Sequence, residues 1–169
     1  MKRRFCSGKI LRLWTARSLT KVIFKNRLEE IKMVKLIVGN KGSGKTKILL
    51  NMCKEACDTS KGYVALAEKG KTLFYDVDRR ARLIDFEDYG IRGFDMLYGF
   101  ISGISAGNYD FTDIFVDSTL KIGGRDYNEL AEFLKKFKKL SELTNTNFIF
   151  TISCAKEELP EGIDAEYVN

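Results

Sequence analysis

The chain has no histidine and a single proline, Pro160, in 169 residues. The missing histidine removes the commonest metal ligand. The missing prolines argue against proline-rich linkers. No stretch approaches the roughly 20 apolar residues of a membrane helix. The four cysteines, Cys6, Cys53, Cys57 and Cys154, are scattered. Cys53 and Cys57 are four apart, on one face of an expected helix, but neither histidine nor a second cysteine pair completes a tetrahedral site. They read as small apolar residues on a buried face. Unpaired thiols without a secretory signal lead us to expect a reducing cytoplasm. What is present, 31% charged and 44% apolar residues, fits one globular domain with a real core.

Charge is unevenly spread. The net +6 suggests a polyanion binder until it is mapped. Residues 1–32 hold ten Lys or Arg against Glu29 and Glu30, or +8; residues 33–169 hold 19 basic and 21 acidic residues, or −2. Nucleic acid is therefore not an expected partner of the body. Three readings of residues 1–32 stay open. They are a basic arm for RNA or anionic lipid, an organelle transit peptide, or translated sequence that is not native. We favour the third. Glu29-Glu30 can be encoded GAGGAG, which resembles a bacterial ribosome-binding site, and Ile31 and Lys32 space it from Met33. The expected organisation is an extension over 1–32, a body over 33–154 and a polar tail over 155–169.

The body alternates strand and helix signals. Lys35–Gly39, Tyr63–Ala67, Ile114–Val116 and Phe148–Ile152 read as buried strands. Thr72–Tyr75 also reads as a strand, and Ala81–Phe86 as strand or helix. Lys45–Cys57 predicts a helix with Ile48, Leu49, Met52, Cys53 and Ala56 on one face. Phe94–Ala106 predicts another, weakened by Gly99 and Gly103 at about 1 kcal/mol each relative to alanine unless they allow close backbone packing. Asp126 and Glu129 resemble a capping box. The helix they open turns Tyr127, Leu130, Leu134, Phe137 and Leu140 inward, and Lys135, Lys136, Lys138 and Lys139 to solvent. The alternation predicts an α/β fold of three layers, αβα, around a mostly parallel sheet.

One segment carries chemistry. Gly39-Asn40-Lys41-Gly42-Ser43-Gly44-Lys45-Thr46 fits G-x-x-x-x-G-K-[ST] at every fixed position, between an apolar strand and an amphipathic helix. Glycines let successive N–H groups point into one anion-binding concavity. Gly44 stands at the helix entrance, where unpaired N–H groups and the dipole favour phosphate. Lys45, expected exposed and touching only ligand, would reach the β- and γ-phosphates. Thr46 would ligate magnesium. Backbone and side chains of Gly39, Lys41, Gly42, Ser43, Gly44, Lys45 and Thr46 form the expected binding set. The strand Ile114-Phe115-Val116 ends in Asp117, a second candidate metal group.

These two motifs resemble those of the P-loop NTPase superfamily. The extra helix and strand between loop and Asp117 resemble its RecA-like branch. The chain also resembles small ATP-binding proteins of Gram-positive bacteria that are loosely labelled after the twitching-motility retraction ATPase. Those motors carry histidine-containing boxes, and this sequence has no histidine; they also carry an extra N-terminal domain, for which we expect no room here. The resemblance implies ATP with magnesium as ligand, Lys45 and Asp117 as catalytic groups, and Thr46 and Asp117 as metal ligands. Many RecA-like ATPases place a water-orienting glutamate directly after the strand-end Asp; here Ser118 follows. Glu68 is a candidate substitute and Ser153 a candidate sensor. Arg79, Arg80, Arg82, Arg92 and Arg125 are candidate arginine fingers, Arg125 foremost because Gly123-Gly124 would let its loop move. The expected function is binding of an Mg-nucleoside triphosphate with slow or partner-dependent hydrolysis. Alternatives are a non-catalytic, nucleotide-dependent interaction module for an unknown protein partner, or a small-molecule kinase with Asp76, Asp78 or Asp85 facing an acceptor hydroxyl. No base-reading motif is visible.

Overall fold

The computed structural model describes residues 34–159 and 166–167. The extension over 1–32, the Met33 start and Cys6 lie outside the described residues. In chain order the elements are β1 (Val34–Val38), α1 (Lys45–Thr59), β2 (Tyr63–Glu68), β3 (Arg82–Asp85), α2 (Phe94–Gly107), β4 (Phe111–Val116), α3 (Thr119–Gly123), α4 (Tyr127–Thr144), β5 (Asn147–Ile152), a 3₁₀ turn (Lys156–Glu158) and β6 (Glu166–Tyr167). The strands form one sheet in the order β3-β2-β4-β5-β1-β6. Every described pairing is parallel, so all strands end on the same edge and the connections must cross the faces.

Two apolar clusters cover those faces, as the near-continuous apolar runs of the strands require. On one, Leu49, Cys53 and Ala56 of α1 pack with Ile37, Leu66, Phe115 and Ile149. The loop between β2 and β3 lies in the same layer through Leu73 and Ala81. On the other, α2 and α4 cover Leu36, Val116, Phe148 and Phe150. There Phe133, beyond the five inward residues expected of α4, is also buried. The four lysines of α4 are exposed. Asp126 caps α4 by accepting from the N–H groups of Asn128 and Glu129.

One open expectation resolves and two change. Ala81–Phe86 resolves as the strand β3, which pairs with β2. Thr72–Tyr75 is a turn, not a strand, because the Glu68 carboxylate accepts from the N–H groups of Thr72 and Leu73 and from the Thr72 hydroxyl. A strand there would need those N–H groups for a ladder. Gly99 and Gly103 permit no close packing, since a Cβ at either would meet nothing within 4 Å.

Phe137 is fully buried and stacks against four rings: Tyr98 at 5.3 Å, Phe133 at 4.7 Å, and Phe148 and Phe150 at 4.9 Å each. It joins both helices of its layer to the sheet. Phe137→Ala should cost about 3–5 kcal/mol. Urea unfolding should show a lower midpoint at an unchanged slope. A loss below 1 kcal/mol would mean the ring cluster is not the keystone of that face.

Candidate functional site

The parallel sheet brings the ends of β1, β5, β4 and β2 to one edge. Gly39–Thr46 leaves β1 there and is pinned to β5 by Gly39 N–H donating to Ile152 O at 3.2 Å. Ser43 N–H donates to Asn40 O, closing the turn. Gly42 at φ 88° and Gly44 at φ 85° sit in the left-handed region, where only glycine is at ease. Gly44 is also the N-cap of α1 and has no side chain to cap it. The first-turn N–H groups of α1 thus face the loop without a side-chain acceptor, the arrangement that favours an anion.

Lys45 departs from expectation. It is 7% exposed, and its ammonium donates to Gly39 O and Asn40 O at 2.8 Å each and to Ser43 Oγ at 3.5 Å. It braces the loop from beneath, because a buried ammonium must find acceptors. Burial pulls its pKa below the ordinary lysine value, opposed by Asp117 and then by Cys154. Lys41 stands exposed at the loop's tip.

Asp117 follows β4 and is also 7% exposed. Its N–H donates to Ala67 O on β2. Thr46 Oγ1 donates to its Oδ1 at 3.3 Å, across 71 residues of chain. The two residues named as metal ligands are thus brought together, an oxygen-only donor pair of the kind a hard divalent cation takes. Two further hydroxyls reach the carboxylate, Thr151 to Oδ1 at 2.8 Å and Ser118 to Oδ2 at 2.9 Å. Sequence reasoning missed Thr151. The only signal was a polar residue interrupting the apolar run Phe148–Ile152. Ser153, the candidate sensor, lies half-buried two residues further along.

Glu68 ends β2 beside Asp117 but is 1% exposed. Its carboxylate is taken up by Thr72 and Leu73, so it holds a turn rather than facing an open site. Arg80 is likewise committed. It bonds to Cys57 O and pairs with Asp58 at 2.6 Å and Asp78 at 2.8 Å, tying the C-terminus of α1 to the loop before β3. Arg82 begins β3, at the sheet edge opposite Asp117. Arg79, Arg92 and Arg125 are exposed. Gly123 packs under the Phe94 ring, which a Cβ there would meet at 2.2 Å, whereas Gly124, at φ 107°, has nothing within 4 Å of such a Cβ. Among the suggested acceptor carboxylates, Asp76 is exposed, and Asp78 is held low by hydrogen bonds from Arg80. Burial pushes the Asp85 pKa up, but the N–H groups of Gly70 and Glu87 and the Lys71 charge prevail, and it lies low. Cys53 packs in the α1 core, and its thiol is pushed up to about 12, chiefly by burial.

No family model matches the sequence, and no curated protein matches it, so the twitching-motility label finds no support. Among solved structures the chain is similar to the flagellar accessory protein FlaH from Methanocaldococcus jannaschii, with a TM-score of 0.52 and 17% identity over 77% of this chain. The match spans 64% of FlaH, less than two-thirds of its length. No helix among the described residues is long and apolar enough to cross a membrane. At this identity the likeness is one of architecture: the chain shares with FlaH a three-layer α/β fold around a parallel sheet.

Proposed function

We propose that this domain binds ATP with magnesium at Gly39–Thr46 and hydrolyses it slowly unless a partner assists. The carrying observation is the convergence at one sheet edge of a left-handed glycine loop, the uncapped start of α1 and the Thr46–Asp117 pair. The loop's N–H groups and Lys45 would receive the phosphates, with Lys45 exchanging its carbonyl partners for phosphate oxygens. The magnesium that such a fold implies fits the residues present, since Thr46 and Asp117 offer only hard oxygen donors. Bound there, it would neutralise charge on the β- and γ-phosphate oxygens.

Slow turnover follows from what surrounds Asp117. Ser118 stands where a water-orienting acid would serve, and the Glu68 carboxylate is spent on the turn at Thr72 and Leu73. Phosphoryl transfer depends on positioning and electrostatics, so a partner supplying a charge in trans would raise the rate. The second reading, a nucleotide-dependent interaction module, is favoured by Phe74 at 63% and Tyr75 at 94% exposure on that same turn. Turnover unchanged by any partner would decide for it. The kinase reading is weakened by the commitment of Asp78 and Asp85 to internal partners. Free thiols at Cys53, Cys57 and Cys154 suit a reducing cytoplasm.

Lys45→Ala should lower Mg-ATP affinity at least about tenfold, the worth of one lost charge-assisted hydrogen bond. It should also lower thermal stability slightly, because two loop carbonyls lose their donor. Affinities within threefold of each other in a calorimetric titration would sink the phosphate-loop reading.

Asp117→Asn should weaken ATP binding more in excess magnesium than in EDTA, because its carboxylate acts through the metal. Equal losses in the two media would leave Asp117 a purely structural group.

A further inference from the structure

Thr151 is buried in the middle of the sheet at 2% exposure, between Phe150 and Ile152. A valine would suit that strand as well, and a buried hydroxyl is costly unless its bonds are met. Both are met, and both partners lie on the segment after β4. Thr151 Oγ1 donates to Asp117 Oδ1 at 2.8 Å and accepts from Ser118 N–H at 2.8 Å. Ser118 has φ 58°, a conformation that residues with a Cβ rarely adopt. In that conformation its N–H meets Thr151 while its own hydroxyl donates to Asp117 Oδ2 at 2.9 Å. Each carboxylate oxygen is therefore held by a hydroxyl that lies outside the phosphate loop.

We propose that Thr151 and Ser118 are positioning residues, a two-hydroxyl clasp that fixes the Asp117 carboxylate in the orientation from which it serves a metal. The inference rests on the reading of Thr46 and Asp117 as the metal pair. Groups that hold a ligand carboxylate limit its rotation before the metal arrives, and their loss commonly costs metal affinity about ten- to a hundredfold. The clasp spans β4 and β5, so it aims Asp117 from the sheet and not from the loop.

The test titrates the full chain calorimetrically with ATP, once in excess magnesium and once in EDTA, with thermal melts alongside. Thr151→Val keeps shape and removes both bonds. It should lose about tenfold in Mg-ATP affinity and less than about twofold in EDTA. Thr151→Ser restores the hydroxyl and should return to within about twofold of the wild type. Ser118→Gly suits the left-handed backbone and removes only the second hydroxyl, so it should lose a few-fold in magnesium alone. Equal loss in both media for Thr151→Val, or no recovery in Thr151→Ser, would overturn the clasp. If Thr151→Val fails to fold, a Ser118→Gly protein with the wild-type ratio of Mg-ATP to ATP affinity overturns it. A wild-type protein that binds ATP in neither medium, or equally in both, instead overturns the metal-nucleotide reading beneath it.

Discussion

A carboxylate cannot be taken out of water without donors, and the nearly buried Asp117 draws its donors from three separate stretches of chain. Thr46 comes from the start of α1, Ser118 from the turn after β4 and Thr151 from β5. Its N–H is satisfied by β2. Four segments that are remote in sequence are thereby fixed to one point. The parallel sheet makes this possible, since β5 lies between β1 and β4 and sets the spacing of loop and carboxylate. Lys45 is the counterpart on the loop side, a buried ammonium satisfied by the carbonyls that the glycine turn directs at it.

Three of the candidate chemical groups are engaged within the fold in the same way. Glu68 closes a turn, Arg80 bridges α1 to the loop before β3, and Asp85 accepts from Gly70 and Glu87. Each is a charged group whose partners satisfy it within the fold. The architecture thus brings the glycine loop and the Asp117 carboxylate together at one edge, while Glu68, Arg80 and Asp85 are held by partners within the fold.

The sheet and the loop were legible because their signals are local. β1, β4 and β5 are apolar runs, α1 and α4 show helical periodicity, and the loop has fixed residue types at fixed spacing. What stayed illegible depends on contacts between distant residues. Thr72–Tyr75 has the β-branched and aromatic character of a strand, yet Glu68 captures its N–H groups. The burial of Lys45 depends on the carbonyls of Gly39 and Asn40, which meet its ammonium only once the loop is folded. Thr151 is a single polar residue whose meaning exists only once β4 lies beside it. The two-residue β6 pairs with β1 from within an acidic tail that carries no strand pattern.

The helix α2 shows how unevenly cohesion is distributed. Phe94, Leu97 and Ile101 anchor its first two turns in the core. Beyond them Ser105 is buried and Ile104 packs on the same cluster, but Gly103, Ala106 and Gly107 are exposed, and a Cβ at either glycine would meet nothing within 4 Å. Gly103, inside the helix, costs about 1 kcal/mol relative to alanine without a packing gain in return. The outward side of that end is therefore held less firmly than the first two turns. Its amides should exchange with solvent sooner than those of α4, which is capped by Asp126 and packed through four aromatic rings around Phe137.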